Sequence, residues 1–102
     1  FPDDLLMLRF LDNHDMNRFL FVAGGDTQRL RHAMTDMLHL PGPVVIYYGT
    51  EIGLNQPASR IEQGMECIRL PMVWEPAGQD QELLAFFGQA IHERRTRLNR
   101  TR

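Results

Sequence analysis

The sequence predicts an α/β architecture with the order strand, helix, strand, long loop, helix. Two apolar runs, at 5–11 and 44–48, have the length of buried strands. Between them lies a segment whose apolar residues repeat with the period of a helix, and a second such segment closes the chain. Two strands joined through a helix form a βαβ unit, which makes them parallel with a right-handed connection.

The first run, Leu5-Leu6-Met7-Leu8-Arg9-Phe10-Leu11, is broken only by Arg9. Near-continuous runs of this kind suit a parallel strand buried on both faces. It turns abruptly polar at Asp12-Asn13-His14-Asp15-Met16-Asn17-Arg18, a cluster of the kind α/β enzymes deliver at strand ends. The apolar patch at 19–22 reads as part of a loop that ends in a turn at Gly24-Gly25. Asp26 is the expected N-cap of the first helix. Leu30, Ala33, Met34, Met37 and Leu38 form one apolar stripe, and Pro41-Gly42-Pro43 stops the helix.

Val44-Val45-Ile46-Tyr47-Tyr48 is β-branched or aromatic throughout and gives the strongest strand signal, ended by Gly49. Residues 50–79 show no sustained period and carry several Gly and Pro. A loop of that length in a small chain is expected to be functional, with a short helical turn inside it. The last helix is expected over 81–98. Leu83, Leu84, Phe86, Phe87, Ala90, Ile91 and Leu98 share a face, and arginines crowd the C-terminus, where positive charge suits the helix dipole.

Composition narrows the functional classes. The chain has 102 residues, 43% hydrophobic and 24% charged, which fits one globular unit rather than disorder. A net charge of −2 gives no general attraction to nucleic acid or an anionic membrane, and no apolar run approaches the ~18 residues of a membrane span. All 11 basic residues are arginine, a compositional bias that no single partner would require. One cysteine, Cys67, permits no intrachain disulfide and does not specify a compartment. Two strands with two helices leave both sheet edges open, so residues 1–102 are expected to be an incomplete unit of a longer protein. The chain is accordingly expected to self-associate or to need neighbouring chain. A start at Phe1 rather than methionine agrees with this expectation.

At Phe10-Leu11-Asp12-Asn13-His14-Asp15 the chain resembles the fourth conserved region of the α-amylase family, glycoside hydrolase family 13. In that family an apolar pair, a variable residue and Asn-His-Asp end the seventh barrel strand. Gly42-Pro43-Val44-Val45-Ile46-Tyr47-Tyr48-Gly49-Thr50-Glu51-Ile52-Gly53 is similar to the eighth strand and its loop. Arg69-Leu70-Pro71-Met72-Val73-Trp74 resembles a stretch many members carry after that strand, and residues 83–98 resemble the last barrel helix.

The resemblance implies a partial (β/α)8 TIM barrel, namely its last two βα units. It further implies a retaining glycoside hydrolase or transglycosylase acting on starch or maltooligosaccharides. Asp15 would be the carboxylate that stabilises the transition state by gripping sugar hydroxyls. His14 would donate to the same sugar, with Asn13 and Arg18 completing the substrate-binding set by orienting the pair. The nucleophile and general acid belong to earlier strands. Asp12, at the variable position, Glu51 and Glu75 are the only tempting substitutes, and Glu51 is read as structural. The chain alone is therefore expected to be inactive. No cofactor is implied for it, with calcium open for the longer parent.

Other readings compete. A non-catalytic carbohydrate-binding or interaction module would share the fold without activity. A metal-dependent phosphohydrolase would need further histidines and carboxylates around the His-Asp pair. His32, Asp36 and His39 share a helical face opposite the apolar stripe, which reads as solvated rather than zinc-binding. Phe19, Phe21, Met72 and Trp74 suit either sugar stacking or barrel packing, and Cys67 has no neighbour in the sequence to activate it.

Overall fold

The computed structural model describes residues 7–100. Its elements in order are α1 (Phe19–Val22), α2 (Thr27–Leu38), a 3-10 turn (Thr50–Ile52), α3 (Arg60–Gln63), two 3-10 turns (Met65–Ile68 and Pro76–Gly78) and α4 (Gln81–Arg100).

The two long helices form as their stripes require. The Asp26 carboxylate accepts from the amides of Gln28 at 3.0 Å and Arg29 at 3.4 Å, a cap worth about 1 kcal/mol. Leu30, Met34, Met37 and Leu38 of α2 are buried against Leu83 and Phe87 of α4, with Leu20 of α1 closing the cluster. Asp80 caps α4, its carboxylate accepting from the Leu83 amide at 3.0 Å. Each fully buried large side chain in this layer contributes about 1.5–3 kcal/mol.

The α2 C-terminus is finished from a distance. One Arg94 nitrogen donates to the carbonyls of Leu38 at 2.6 Å and Leu40 at 3.1 Å, and the other to Gly42 at 2.6 Å. Arg97 adds a bond to Leu38 at 3.2 Å. Leu38 is the last residue of α2, and Leu40 and Gly42 lie just beyond it, so side-chain donors serve carbonyls that the helix ladder does not reach. Two of the arginines near the α4 end thus serve a neighbouring helix as well as their own dipole.

The strands depart from expectation. Among the described residues neither run forms a ladder; a single parallel bridge joins Arg9 and Val44. The Arg9 amide donates to Pro43 at 2.9 Å, and the Val45 amide donates back to Arg9 at 2.9 Å. Leu5 and Leu6 of the first run lie outside the described residues. The parallel direction agrees with the βαβ reading, but the extent does not. A strand pair needs further strands or a covering layer to hold its register, and here only one face is covered. Leu11, Val44 and Ile46 pack on the helices, whereas Leu8, Phe10 and Val45 are exposed.

Two further corrections concern the loops. The patch at 19–22, expected as loop, is helix α1, because the Asp12 carboxylate accepts from the Phe19 amide at 2.9 Å and starts it. Residues 50–79 hold four short helical turns rather than one.

The result is a slab of 44 × 33 × 21 Å with a radius of gyration of 14.8 Å, against about 13 Å for a rounded chain of this length. Its two faces differ: helices cover one, and the bridged segments expose apolar side chains on the other. Among the described residues no helix is long and apolar enough to cross a membrane.

Candidate active site

The polar cluster at 12–18 follows the first bridged segment and lies at the same end of the slab as the turn after Tyr48. Its geometry begins with Asp12, which is 3% exposed and caps α1. Burial raises the pKa of its carboxyl above the ordinary value, while the Phe19 amide and the Arg18 charge pull it back. Asp12 is therefore a structural acid of the loop, not a spare catalytic one.

Beyond it the loop turns on itself. The Asn13 side-chain oxygen accepts from the Asp15 amide at 2.9 Å, a local turn that mimics a backbone one. This places the next two side chains outward and together. His14 Nε2 lies 3.3 Å from Asp15 Oδ2, with the side chains 66% and 62% exposed. A third group completes the cluster: Arg69 donates through Nε to the His14 carbonyl at 2.9 Å and through Nη2 to Asp15 Oδ1 at 3.2 Å.

Exposed ion pairs of this kind add at most about 1 kcal/mol to stability. Their effect is geometric: one carboxylate oxygen faces an imidazole, the other a guanidinium, and all three groups remain open to a ligand. Such an arrangement can hold neighbouring hydroxyls of a polyol, with carboxylate acceptors beside nitrogen donors.

Of the four residues that the resemblance groups, the structure brings Asn13, His14 and Asp15 together and places Arg18 elsewhere. Arg18 is 1% exposed and lies beneath the loop. Its guanidinium donates to the Tyr48 carbonyl at 3.0 Å and sits 4.5 Å from the Tyr47 ring centroid and 5.1 Å from that of Tyr48. Direct contact with a substrate does not suit a buried side chain, and the group that touches Asp15 is Arg69 instead. The sequence displays Arg69 within the Arg-Leu-Pro-Met-Val-Trp stretch, but nothing in its spacing reveals a contact across 54 positions.

The remaining candidates have structural surroundings. Glu51 accepts from the Gly49 amide at 3.3 Å within its own turn. Cys67 is buried, its sulfur donating to the carbonyls of Gly64 and Ala58. Phe19 packs on the helical core, while Trp74 is largely exposed. Among the described residues no three His, Cys, Asp or Glu side chains gather into a group that could hold a metal ion.

Comparison with known proteins identifies the family. Residues 2–97 match the family described as the catalytic domain of alpha amylase. Alpha-amylase 2 of Dictyoglomus thermophilum is 37% identical, over 87% of this chain and 16% of that protein. The intracellular maltogenic amylase of Bacillus subtilis is 38% identical, over 84% of this chain and 14% of its own length. Among solved structures, a cyclomaltodextrinase superposes with a TM-score of 0.79 at 31% identity, covering 89% of this chain and 15% of that one. An α-amylase from H. orenii gives 0.73 at 33% identity, covering 92% and 23%. The chain thus spans about a sixth of the length of the curated relatives it matches, and its structural likeness supports a portion of a TIM barrel. The chain belongs to the α-amylase family of glycoside hydrolases.

Proposed function

We propose that this chain supplies the last two βα units of a (β/α)8 barrel, contributing one of three essential carboxylates to a retaining enzyme that acts on α-glucans. Asp15 is the carboxylate that grips sugar hydroxyls at the point of cleavage. Bonds of that kind tighten as the ring flattens towards an oxocarbenium ion, so they lower the barrier more than they improve binding. His14 donates to the same sugar from one ring nitrogen, and Asn13 holds the turn that presents both.

The observation that carries this reading is the exposed His14–Asp15 pair, braced by Arg69 at the end of the parallel bridge. Nucleophile and general acid come from other strands of the barrel, so the isolated chain does not hydrolyse maltooligosaccharides. The apolar face with Leu8, Phe10 and Val45 is where the rest of the barrel packs.

The test is Asp15→Asn in the enzyme that carries this chain. We expect kcat on soluble starch to fall about a hundredfold or more, with the fold retained. Near-normal kcat removes Asp15 from the site, and hydrolysis by the isolated chain overturns the division of carboxylates.

A further inference from the structure

The loop that bears His14 and Asp15 has few bonds of its own, so its shape depends on what holds its two ends. The leading end is fixed by the Arg9–Val44 bridge and by buried Asp12. The trailing end is fixed by a polar knot that family motifs do not mark, centred on Gln56.

Gln56 is 7% exposed and spends its side-chain amide on three partners. Its oxygen accepts from the Arg18 amide at 2.7 Å. Its nitrogen donates to the Asn17 side-chain oxygen at 2.9 Å and to the Ala58 carbonyl at 2.9 Å. The Asn17 oxygen also accepts from the Arg60 amide at 2.9 Å, and its nitrogen lies 3.4 Å from the Ser59 hydroxyl. The orientation of both amides is forced. Arg18 and Arg60 present backbone N–H groups, which can only donate, so each faces an oxygen. Reversing either amide would set donor against donor, and for Gln56 it would do so in a buried place.

The segment that carries Gln56 is itself anchored below the site. The Leu54 amide donates to Gly49 at 2.9 Å, the Tyr47 hydroxyl to Ile68 at 3.0 Å, and the Tyr48 hydroxyl to Leu70. The segment therefore grips the 13–18 loop twice, through Gln56 at residues 17 and 18 and through Arg69 at residues 14 and 15.

We propose that Gln56, acting through Asn17 and the Arg18 backbone, is a positioning residue that sets the aim of His14 and Asp15. The inference rests on the α-glucan reading for its catalytic consequence, but its geometric part does not. A misplacement of about 1 Å costs as much as a hundredfold in rate, so a loop freed at one end loses catalysis while its residues remain present.

The test is Gln56→Met, which keeps the length and packing of the side chain and removes its bonds, in the enzyme that carries this chain. We expect kcat on maltooligosaccharide to fall about tenfold or more with KM changed far less. The Asp15 amide and His14 ring resonances should move, while those of Leu30 and Leu83 in the helical core stay in place. A parallel pair keeps the test open if Gln56→Met fails to fold: Asn17→Ala should reproduce the loss, and Asn17→Asp, which keeps the accepting oxygen, should restore most of it. Unmoved loop resonances in a folded variant overturn the proposal. So does unchanged kcat in an enzyme where Asp15→Asn abolishes hydrolysis. If Asp15→Asn leaves hydrolysis intact, the α-glucan role of Asp15 is what fails, and the resonances alone decide whether Gln56 positions the loop.

Discussion

The helical layer and the polar layer of this chain are held by different physics. Between α2 and α4 the core contacts are apolar: Leu30, Met34, Leu83 and Phe87 are at most 1% exposed and interlock without directional bonds, which appear only at the α2 C-terminus through Arg94 and Arg97. Between the 12–18 loop and the 54–70 segment the contacts are side-chain hydrogen bonds joining residues 38 to 55 positions apart. The first layer tolerates exchange of one apolar side chain for another of similar volume. The second depends on particular donors and acceptors, and it is the one that carries the candidate site.

The largest effect should come from opening the apolar layer. Phe87→Ala removes a ring that is 1% exposed and packs edge-on against Phe86, with centroids 5.5 Å apart. Loss of a buried aromatic of this kind costs about 3–5 kcal/mol, a large share of the stability of any small domain. Thermal melts followed by circular dichroism should show the transition lowered by many degrees or lost. A melt within a few degrees of the parent would mean that α4 is not what holds the slab together.

Next comes the junction of the two kinds of contact. Arg94→Met keeps the aliphatic stem but withdraws the donors from Leu38, Leu40 and Gly42. Leu38 keeps its bond from Arg97, so the loss falls on the carbonyls of Leu40 and Gly42 and should cost about 1–3 kcal/mol. Arg94→Lys should recover only part of it, because one ammonium cannot reproduce the fork that spans three carbonyls. Equal stability of the lysine variant in denaturant titration would show that charge alone, rather than the fork, closes the helix.

The same contrast explains what could be read from the sequence. The stripe from Leu30 to Leu38 and the Asp26 cap are local and periodic, and they predict α2 correctly. The end of the bridged pair and its Asn-His-Asp cluster were legible for the same reason, since the residues are adjacent in the chain. The strands were legible only as a direction. Their composition is that of buried strands, but pairing needs neighbours, and among the described residues one bridge forms. Helix α1 escaped because its start is capped by Asp12, seven positions before Phe19, rather than by an adjacent residue. Arg69, Gln56 and Asn17 escaped because no period or spacing signals a bond between two irregular segments. Arg18 looked like part of the site from its place beside it, yet its side chain turns under the loop to Tyr47 and Tyr48.

A smaller effect tests the buried acid between the layers. Burial raises the Asp12 pKa in the folded state, so its protonated form is favoured there. Its favourable contribution is fully present below the unfolded pKa near 3.8 and is lost as pH rises through the raised folded value. Asp12→Asn keeps an oxygen for the Phe19 amide and removes the buried charge. It should therefore be neutral or stabilising by up to about 1 kcal/mol at pH 7, with the advantage shrinking towards pH 4. Asp12→Ala, which leaves that amide unpaired, should be destabilising at both. An asparagine variant less stable at pH 7 than at pH 4, relative to the parent, would show that the carboxylate charge is needed by Arg18.

The smallest effect on stability separates function from fold most sharply. Arg69 braces the His14 carbonyl and the Asp15 carboxylate at the surface, with its side chain 45% exposed. Arg69→Met should change the melting transition by no more than about 0.5 kcal/mol, because exposed ion pairs contribute little. Yet it removes the guanidinium from Asp15 and leaves the carboxylate only the His14 ring among its described side-chain partners, so it should sample more orientations. Relaxation measurements on the loop amides should show added motion at residues 14 and 15 and none in α2. A loop that stays as rigid as in the parent would assign the whole of its order to Asn13, Asp12 and the Gln56 knot, leaving Arg69 free to serve the ligand alone.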